Sequence, residues 1–551
     1  MYKDEKLYVA HCEAGPLCLT GKMCNRHGLI AGATGTGKTV TLQVIAETFS
    51  QAGVPCFMAD MKGDLSGISQ TGKMTGFIEK RCAEFGITEP AFQPCPVRFY
   101  DVFGQQGFPM RTTISSMGPQ LLARLMELNE TQAGVLNIVF RIAQDENLLL
   151  IDLKDLRLML DFVGKNASRF TTAYGNVPAA SVGAIQRSIL AIESEGGDKF
   201  FGEPAFDVMD LLDKDGAKGV MSVLAADKLM MRPKMYSTFL MWLMTELYDK
   251  LPEVGDLDLP KLIFFFDEAH MLFDGTSKAL VDKMEQVIRL IRSKGVGIYF
   301  ITQSPTDIPD SILAQLSNRV QHALRAFTPK DQKDVRAAAQ TFRANPSFKT
   351  EDAITTLETG EALVSFMDEK GAPGMVERAR ILFPLSQIGA VTEGQRLDVQ
   401  NAAPARIRAY NNYEDRVSAY EVLSDANAAA EQQAAEARQA KEEAKAQKEL
   451  EKQQKEIARQ QKEAEREEAR QQRESSKKVS GWKKTFLGSI VMAIISAVVS
   501  VFSTKVGNAV CGKKTRSKKS TGQDIMEKAA KSATRTATRR VSEEVLNSII
   551  K

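Results

Sequence analysis

Eight residues constrain this chain more than any others. They are Gly32-Ala33-Thr34-Gly35-Thr36-Gly37-Lys38-Thr39, set between the apolar run Gly28–Ala31 and the helical pattern Thr41–Phe49. The spacing is G-x-x-x-x-G-K-[ST]. Gly35 and Gly37 let the backbone curl until consecutive N–H groups point inward, and the helix that follows adds the positive end of its dipole. A loop built this way holds phosphate oxygens. Gly32, Ala33, Thr34, Gly35, Thr36 and Gly37 are expected to line a nucleotide, with ATP as the expected ligand. Lys38 would reach the β- and γ-phosphates, and the Thr39 hydroxyl would hold Mg2+. A strand feeds such a loop and a helix leaves it, so the motif also predicts an α/β chain.

The second half of such a site is an acidic residue at the end of another buried strand. Residues 262–270 read Leu-Ile-Phe-Phe-Phe-Asp-Glu-Ala-His. Asp267 is expected to bind Mg2+ and Glu268 to orient and deprotonate the attacking water. The plainer alternative is a helix-capping acidic pair, and His270 is expected to be structural. Gln303 ends the apolar run Ile298–Thr302, where an amide can contact the γ-phosphate; a strand-end turn before Pro305 is the alternative. Arg319 is a candidate arginine finger, with Arg292 and Arg325 competing and a salt-bridged surface arginine as the plain reading. Asp60 and Lys62 follow the run Pro55–Ala59 and are expected beside the phosphates, because ligands gather at the carboxyl ends of parallel strands. A turn with a local ion pair is the alternative there.

Short apolar runs alternate with helical patterns such as Lys283–Ser293, which predicts a mostly parallel sheet with helices on both faces. Residues 1–109 and 236–400 are expected to form this core, and 110–235 a mainly helical insertion with helices near Gln120–Glu127 and Leu153–Val163. Seven cysteines and no secretory signal favour reduced thiols in a cytosolic compartment. His11, Cys12, Cys18, Cys24 and His27 cluster, but their spacing suits buried thiols better than zinc.

Charge is uneven along the chain. Residues 1–425 carry 45 Lys and Arg against 53 Asp and Glu, whereas residues 479–551 carry 14 against 4. Residues 426–478 repeat every seven. Lys441, Lys448, Lys455 and Lys462 share one position, and Glu442, Glu449, Glu456 and Glu463 the next. Each such Glu has a base three residues on, a pairing that supports an exposed helix by about 0.2–0.5 kcal/mol. Leu450 and Ile457 fill one apolar heptad position, but Gln453 and Gln460 stand at the other, so a lone charged helix is expected, with a weak coiled coil as the alternative. Residues 486–502 are apolar and at the short limit for a membrane span. A membrane-associated helix and a self-associating or core-docked one are both open. Residues 524–550 carry an amphipathic stripe from Ile525 to Ile549 within the basic tail.

In order, the motifs are the loop at 32–39, Asp60-Met-Lys-Gly-Asp-Leu65, Phe265-Phe-Asp-Glu-Ala-His270, Ile301-Thr-Gln-Ser-Pro305, Ser317-Asn-Arg-Val320 and Thr359-Gly-Glu-Ala-Leu-Val364. Together they resemble the HerA–FtsK superfamily of DNA-pumping ATPases over about residues 5–390. The likeness is closest to the bacterial HerA-like DUF853 (YjgR-like) branch, which Phe200-Phe-Gly-Glu-Pro204 and Arg289–Gly297 also resemble. The resemblance implies a RecA-like P-loop NTPase, a ring that is usually a hexamer, and nucleotide bound between subunits with an arginine from the neighbour. It supports Lys38, Thr39, Asp267, Glu268 and Gln303, and Arg319 less directly. HerA proteins carry an amino-terminal β-barrel, but 31 residues precede Gly32 here. The function implied is ATP hydrolysis coupled to DNA translocation or remodelling. The alternative is a membrane- or partner-tethered ATPase without a nucleic-acid substrate. A DEAH-type helicase needs a second RecA-like lobe, and a signalling GTPase an Asn-Lys-x-Asp motif; neither is found.

Overall fold

A computed structural model describes residues 1–255, 257–273 and 278–475. The strands that matter are β1 (Lys6–Cys12), β2 (Gly15–Leu19), β3 (Gly28–Ala31), β4 (Cys56–Asp60), β5 (Val97–Asp101), β6 (Met221–Ala225), β7 (Leu262–Phe266), β8 (Val296–Thr302), β9 (Asn318–Gln321), β10 (Glu361–Ser365) and β11 (Glu377–Ile381). They share one sheet in the order β1–β11–β10–β9–β3–β8–β7–β4–β6–β5, with β2 paired to β1. From β9 to β5 all pairs are parallel. From β9 outward through β10, β11, β1 and β2 they are antiparallel.

The apolar runs explain the parallel centre. Strands covered on both faces read as continuous hydrophobic stretches, and every residue of β3, β4, β7 and β8 is buried. Successive side chains alternate between faces. Phe57, Ala59, Phe264, Phe266, Ile298 and Phe300 enter one core, and Cys56, Met58, Ile263, Phe265, Tyr299 and Ile301 the other. Helix α1 (Lys38–Gln51) covers the second face with Leu42, Ile45 and Phe49.

The expected helical insertion is redrawn. Helices Ile114–Leu125, Glu130–Asp145, Leu153–Lys165 and Ala179–Ser194 fill much of residues 110–235. But β6 also falls in that stretch, and it is an interior strand of the sheet, paired to β4 on one side and β5 on the other. Five residues with Ser222 in the run gave too weak a period to stand out. The helices also bury Leu160, Ile185 and Ile189 in the same core as Phe264 and Phe266. Residues 1–436 therefore form one compact unit.

The charged helix spans Ala419–Ser475. It begins before the expected residue 426 because Ala419 and Leu423 are buried in the core, and Ser418 N donates to Glu421 Oε2 at 2.8 Å across its first turn. Among the described residues no helix is long and apolar enough to cross a membrane. The runs 486–502 and 524–550 lie outside the described residues. Cys12 and Cys24 are buried free thiols and Cys18 is half-buried.

Beyond β11 the chain returns along α1. Leu385 N and Ser386 N donate to the Glu47 carboxylate at 2.8 and 3.1 Å, and the Ser386 hydroxyl also bonds it. Gln43 Nε2 donates to Gln387 O at 2.9 Å. Gly67 allows the strap its close approach, since a Cβ there would lie 2.1 Å from Gly389 O. Burial pushes the Glu47 carboxyl up to about 7 in spite of these bonds.

Two outcomes are expected. Ile185→Ala should cost about 2–5 kcal/mol in denaturant unfolding and shift one cooperative transition of residues 1–436 rather than a separate helical one. The folded protein keeps the Glu47 proton at pH values where the unfolded chain has lost it. Glu47 therefore contributes stability that falls as pH rises from the ordinary glutamate range to about 7. In Glu47→Gln, urea midpoints measured across that window should lose that part of the slope.

Candidate active site

Parallel register lines up four strand ends. Thr302 of β8 lies opposite Ala31 of β3, Phe300 of β8 opposite Phe266 of β7, and Phe266 opposite Ala59 of β4. The residues that follow them, Gly32, Gln303, Asp267 and Asp60, thus gather on one edge.

The loop at 32–37 is tied on both sides. Gly32 N donates to Thr302 O at 3.2 Å and Ala33 N to Ala323 O at 2.8 Å, and Gly360 N donates to Thr36 O at 3.0 Å. Gly32, Gly35 and Gly37 have φ of 153°, 81° and 111°, values that side-chain-bearing residues rarely adopt. Lys38 Nζ curls back to Gly32 O at 2.7 Å and Ala33 O at 3.2 Å. Burial lowers its pKa, while Glu268 and Asp267 pull the other way.

Three carboxylates crowd the same edge. Asp60 is buried and pushed up to about 7, chiefly by desolvation and then by Asp64. Asp267 is pushed up to about 6 by burial and by Glu268 beside it. Glu268 adopts φ 47° and ψ 48°, a left-handed conformation uncommon outside glycine and concentrated at functional positions. Burial pushes its carboxyl up, but an ion pair with Lys62 at 2.6 Å, then His270 and the Gln303 amide, outweigh it and hold the pKa below the usual value. Glu268 N donates to Asp267 Oδ1 at 3.0 Å, which fixes the Asp267 carboxylate against the Glu268 main chain.

Arg319 stands apart. It pairs across from Leu29, in the body of the strand rather than at the loop. Its guanidinium donates to Leu316 O, Thr341 O and Leu313 O at 2.8, 2.9 and 3.1 Å. That placement departs from the expectation of a finger reaching out of its own subunit, because three main-chain carbonyls hold the side chain inside it. Arg292 precedes β8 and lies at the opposite end of that strand from Gln303. Arg325 is exposed, two residues past Ala323, on the edge that carries the loop.

The sequence reading missed His322. It directly follows β9 and is fully buried beneath the loop, so close that a Cβ on Gly32 would lie 2.5 Å from its own Cβ. Nδ1 lies 2.9 Å from Glu361 O, which only accepts, so the network assigns the proton to Nδ1. Nε2 then accepts from the Thr41 hydroxyl at 2.8 Å. Burial pushes the imidazole down to about 4, so it stays neutral. Its signal was invisible because only strand order places β9 beside β3.

The sequence matches the helicase HerA-like C-terminal family over residues 5–504. The chain belongs to that family. Two curated relatives are the DNA double-strand break repair helicases HerA of Sulfolobus acidocaldarius and Sulfurisphaera tokodaii, 28% and 29% identical over 117 residues. Each match covers 21% of this chain and 22% of the relative, so the chain spans about a fifth of the relatives' length. Among solved structures, the bacterial conjugative coupling protein TrwB is similar at a TM-score of 0.48, with 13% identity over 71% of this chain and 92% of that one. VirB4 of Thermoanaerobacter pseudethanolicus is similar at 0.42, with 13% identity over 70% and 97%.

For this HerA-like chain, His322→Ala should strand the buried Glu361 carbonyl and cost about 1–3 kcal/mol of stability. Nucleotide affinity measured by titration should fall with it; unchanged affinity would detach His322 from the loop.

Proposed function

We propose that this HerA-like chain hydrolyses ATP and couples hydrolysis to movement along or remodelling of DNA. The observation that carries the hydrolysis is the shared edge of Lys38, Asp267, Glu268 and Gln303, set by strand register. In this reading the loop N–H groups and Lys38 cradle the triphosphate, and Gln303 contacts the γ-phosphate or the water. Glu268 takes the proton of the attacking water as the oxygen–phosphorus bond forms and ADP leaves. Asp60 supports the turn that carries Lys62 beside the phosphates.

Mg2+ fits the donor set. The Thr39 hydroxyl and Asp267 carboxylate are two oxygen ligands of the kind this ion takes alongside phosphate oxygens. The raised pKa values of Asp60 and Asp267 mark an edge that a cation would stabilise. Bound there, Mg2+ neutralises charge on the phosphates.

DNA as the substrate rests on the family and on the name of the curated relatives. The ring, a hexamer by resemblance, would complete the site between subunits. Because Arg319 is held by three main-chain carbonyls of its own subunit, the finger passes in this reading to exposed Arg325. A second reading, a partner- or membrane-tethered ATPase with no nucleic-acid substrate, is favoured by the net charge of −8 over residues 1–425. In it the Ala419–Ser475 helix pairs as a coiled coil, or 486–502 forms the tether.

Lys38→Ala is expected to abolish nucleotide binding or turnover. Glu268→Gln should still bind ATP and lose hydrolysis by a factor of about 100 or more; normal turnover would refute Glu268 as the base. Stimulation of wild-type hydrolysis by DNA supports the motor reading, and its absence in an assembled ring favours the second.

A further inference from the structure

Lys62 engages the general base rather than the loop. Its ammonium lies 2.6 Å from Glu268 Oε1. The turn beneath it is fixed by Asp60 Oδ1, which accepts from Lys62 N at 3.3 Å and Gly63 N at 2.8 Å. The two partners differ in freedom. The Glu268 side chain is 10% exposed on a strained backbone, while the Lys62 side chain is 54% exposed on a flexible stem. Lys62 is therefore the partner that moves.

A carboxylate with an ammonium against one oxygen is a poor acceptor for a water proton. In this pairing Glu268 is in place but not available. Negative phosphate charge arriving at the same edge competes for Lys62. The side chain also has room to leave, since Asp60, Lys62 and Gly63 form one wall of a cavity of about 80 Å3 that Gln106, Asp227 and Arg396 close.

We propose that Lys62 is a latch on Glu268, a positioning residue that withholds the carboxylate from catalysis until triphosphate draws the ammonium away. The latch rests on the ATPase reading above and adds a restraint on turnover without substrate fully seated. It also places the control point on the turn after β4, whose far side borders Asp227 at the end of the helical stretch and Arg396 on the carboxyl-terminal side of the sheet.

Steady-state hydrolysis by Lys62→Met and Lys62→Arg tests it. Lys62→Met should raise kcat about fivefold, the scale of one half-exposed ion pair that the ATP-bound enzyme must otherwise break before hydrolysis. Lys62→Arg, which keeps the pair, should stay near wild type. A Lys62→Met enzyme slower than wild type at saturating ATP would make Lys62 a support of the base rather than a restraint on it, and would overturn the latch. A second readout needs no turnover. Acetylation of Lys62 by an amine-reactive reagent, read by peptide mass spectrometry, should quicken in Glu268→Gln, where the carboxylate that holds the ammonium is gone. No change in Glu268→Gln overturns the proposal. If the wild type hydrolyses nothing, the ATPase reading falls, while the labelling still decides whether Glu268 holds Lys62.

Discussion

The site depends on how β3 is paired. This strand is four residues long and hydrogen-bonded in parallel on both sides, to β8 and to β9. Parallel bonds are evenly spaced, so neighbouring strands end in step. Ala31 and Thr302 stand level, and the loop leaves with one tie to each neighbour, at Thr302 and Ala323. Slip β3 by one residue and the phosphate loop loses both ties, while its buried side chains exchange faces.

Electrostatics at that edge set the second constraint. Asp60, Asp267 and Glu268 come together, with Lys38 and Lys62 the lysines that act on Asp267 and Glu268 and Arg396 near Asp60. Burial and mutual repulsion raise two of the three carboxyls toward neutrality. The third stays ionised because Lys62 is on it. Such an edge is at its most stable when a cation and its phosphates complete it.

The helical stretch and the carboxyl-terminal strap tie this edge to the rest of the unit. Close-packed interiors transmit displacement rather than absorb it. Leu160, Ile185 and Phe200 share a core with β4, β7 and β8, and Glu47 on the phosphate-loop helix holds the main chain at 385–386. The helices and the strap thus meet the site-bearing strands and α1 through packed side chains and backbone bonds.

The sequence alone determined the glycine-rich loop after β3, the positions of the acidic pair after β7 and of Gln303 after β8, the mostly parallel sheet and the long charged helix. These are local: glycine spacing, unbroken apolar runs and heptad charges act over a few residues. Only the tertiary structure decided which strand lies beside which. That order put β6 inside the sheet between β4 and β5, seated His322 under Gly32, turned Arg319 onto three neighbouring main-chain carbonyls and brought Lys62 to Glu268 across 206 residues of chain. Such contacts depend on register and burial between distant segments, which no short pattern encodes.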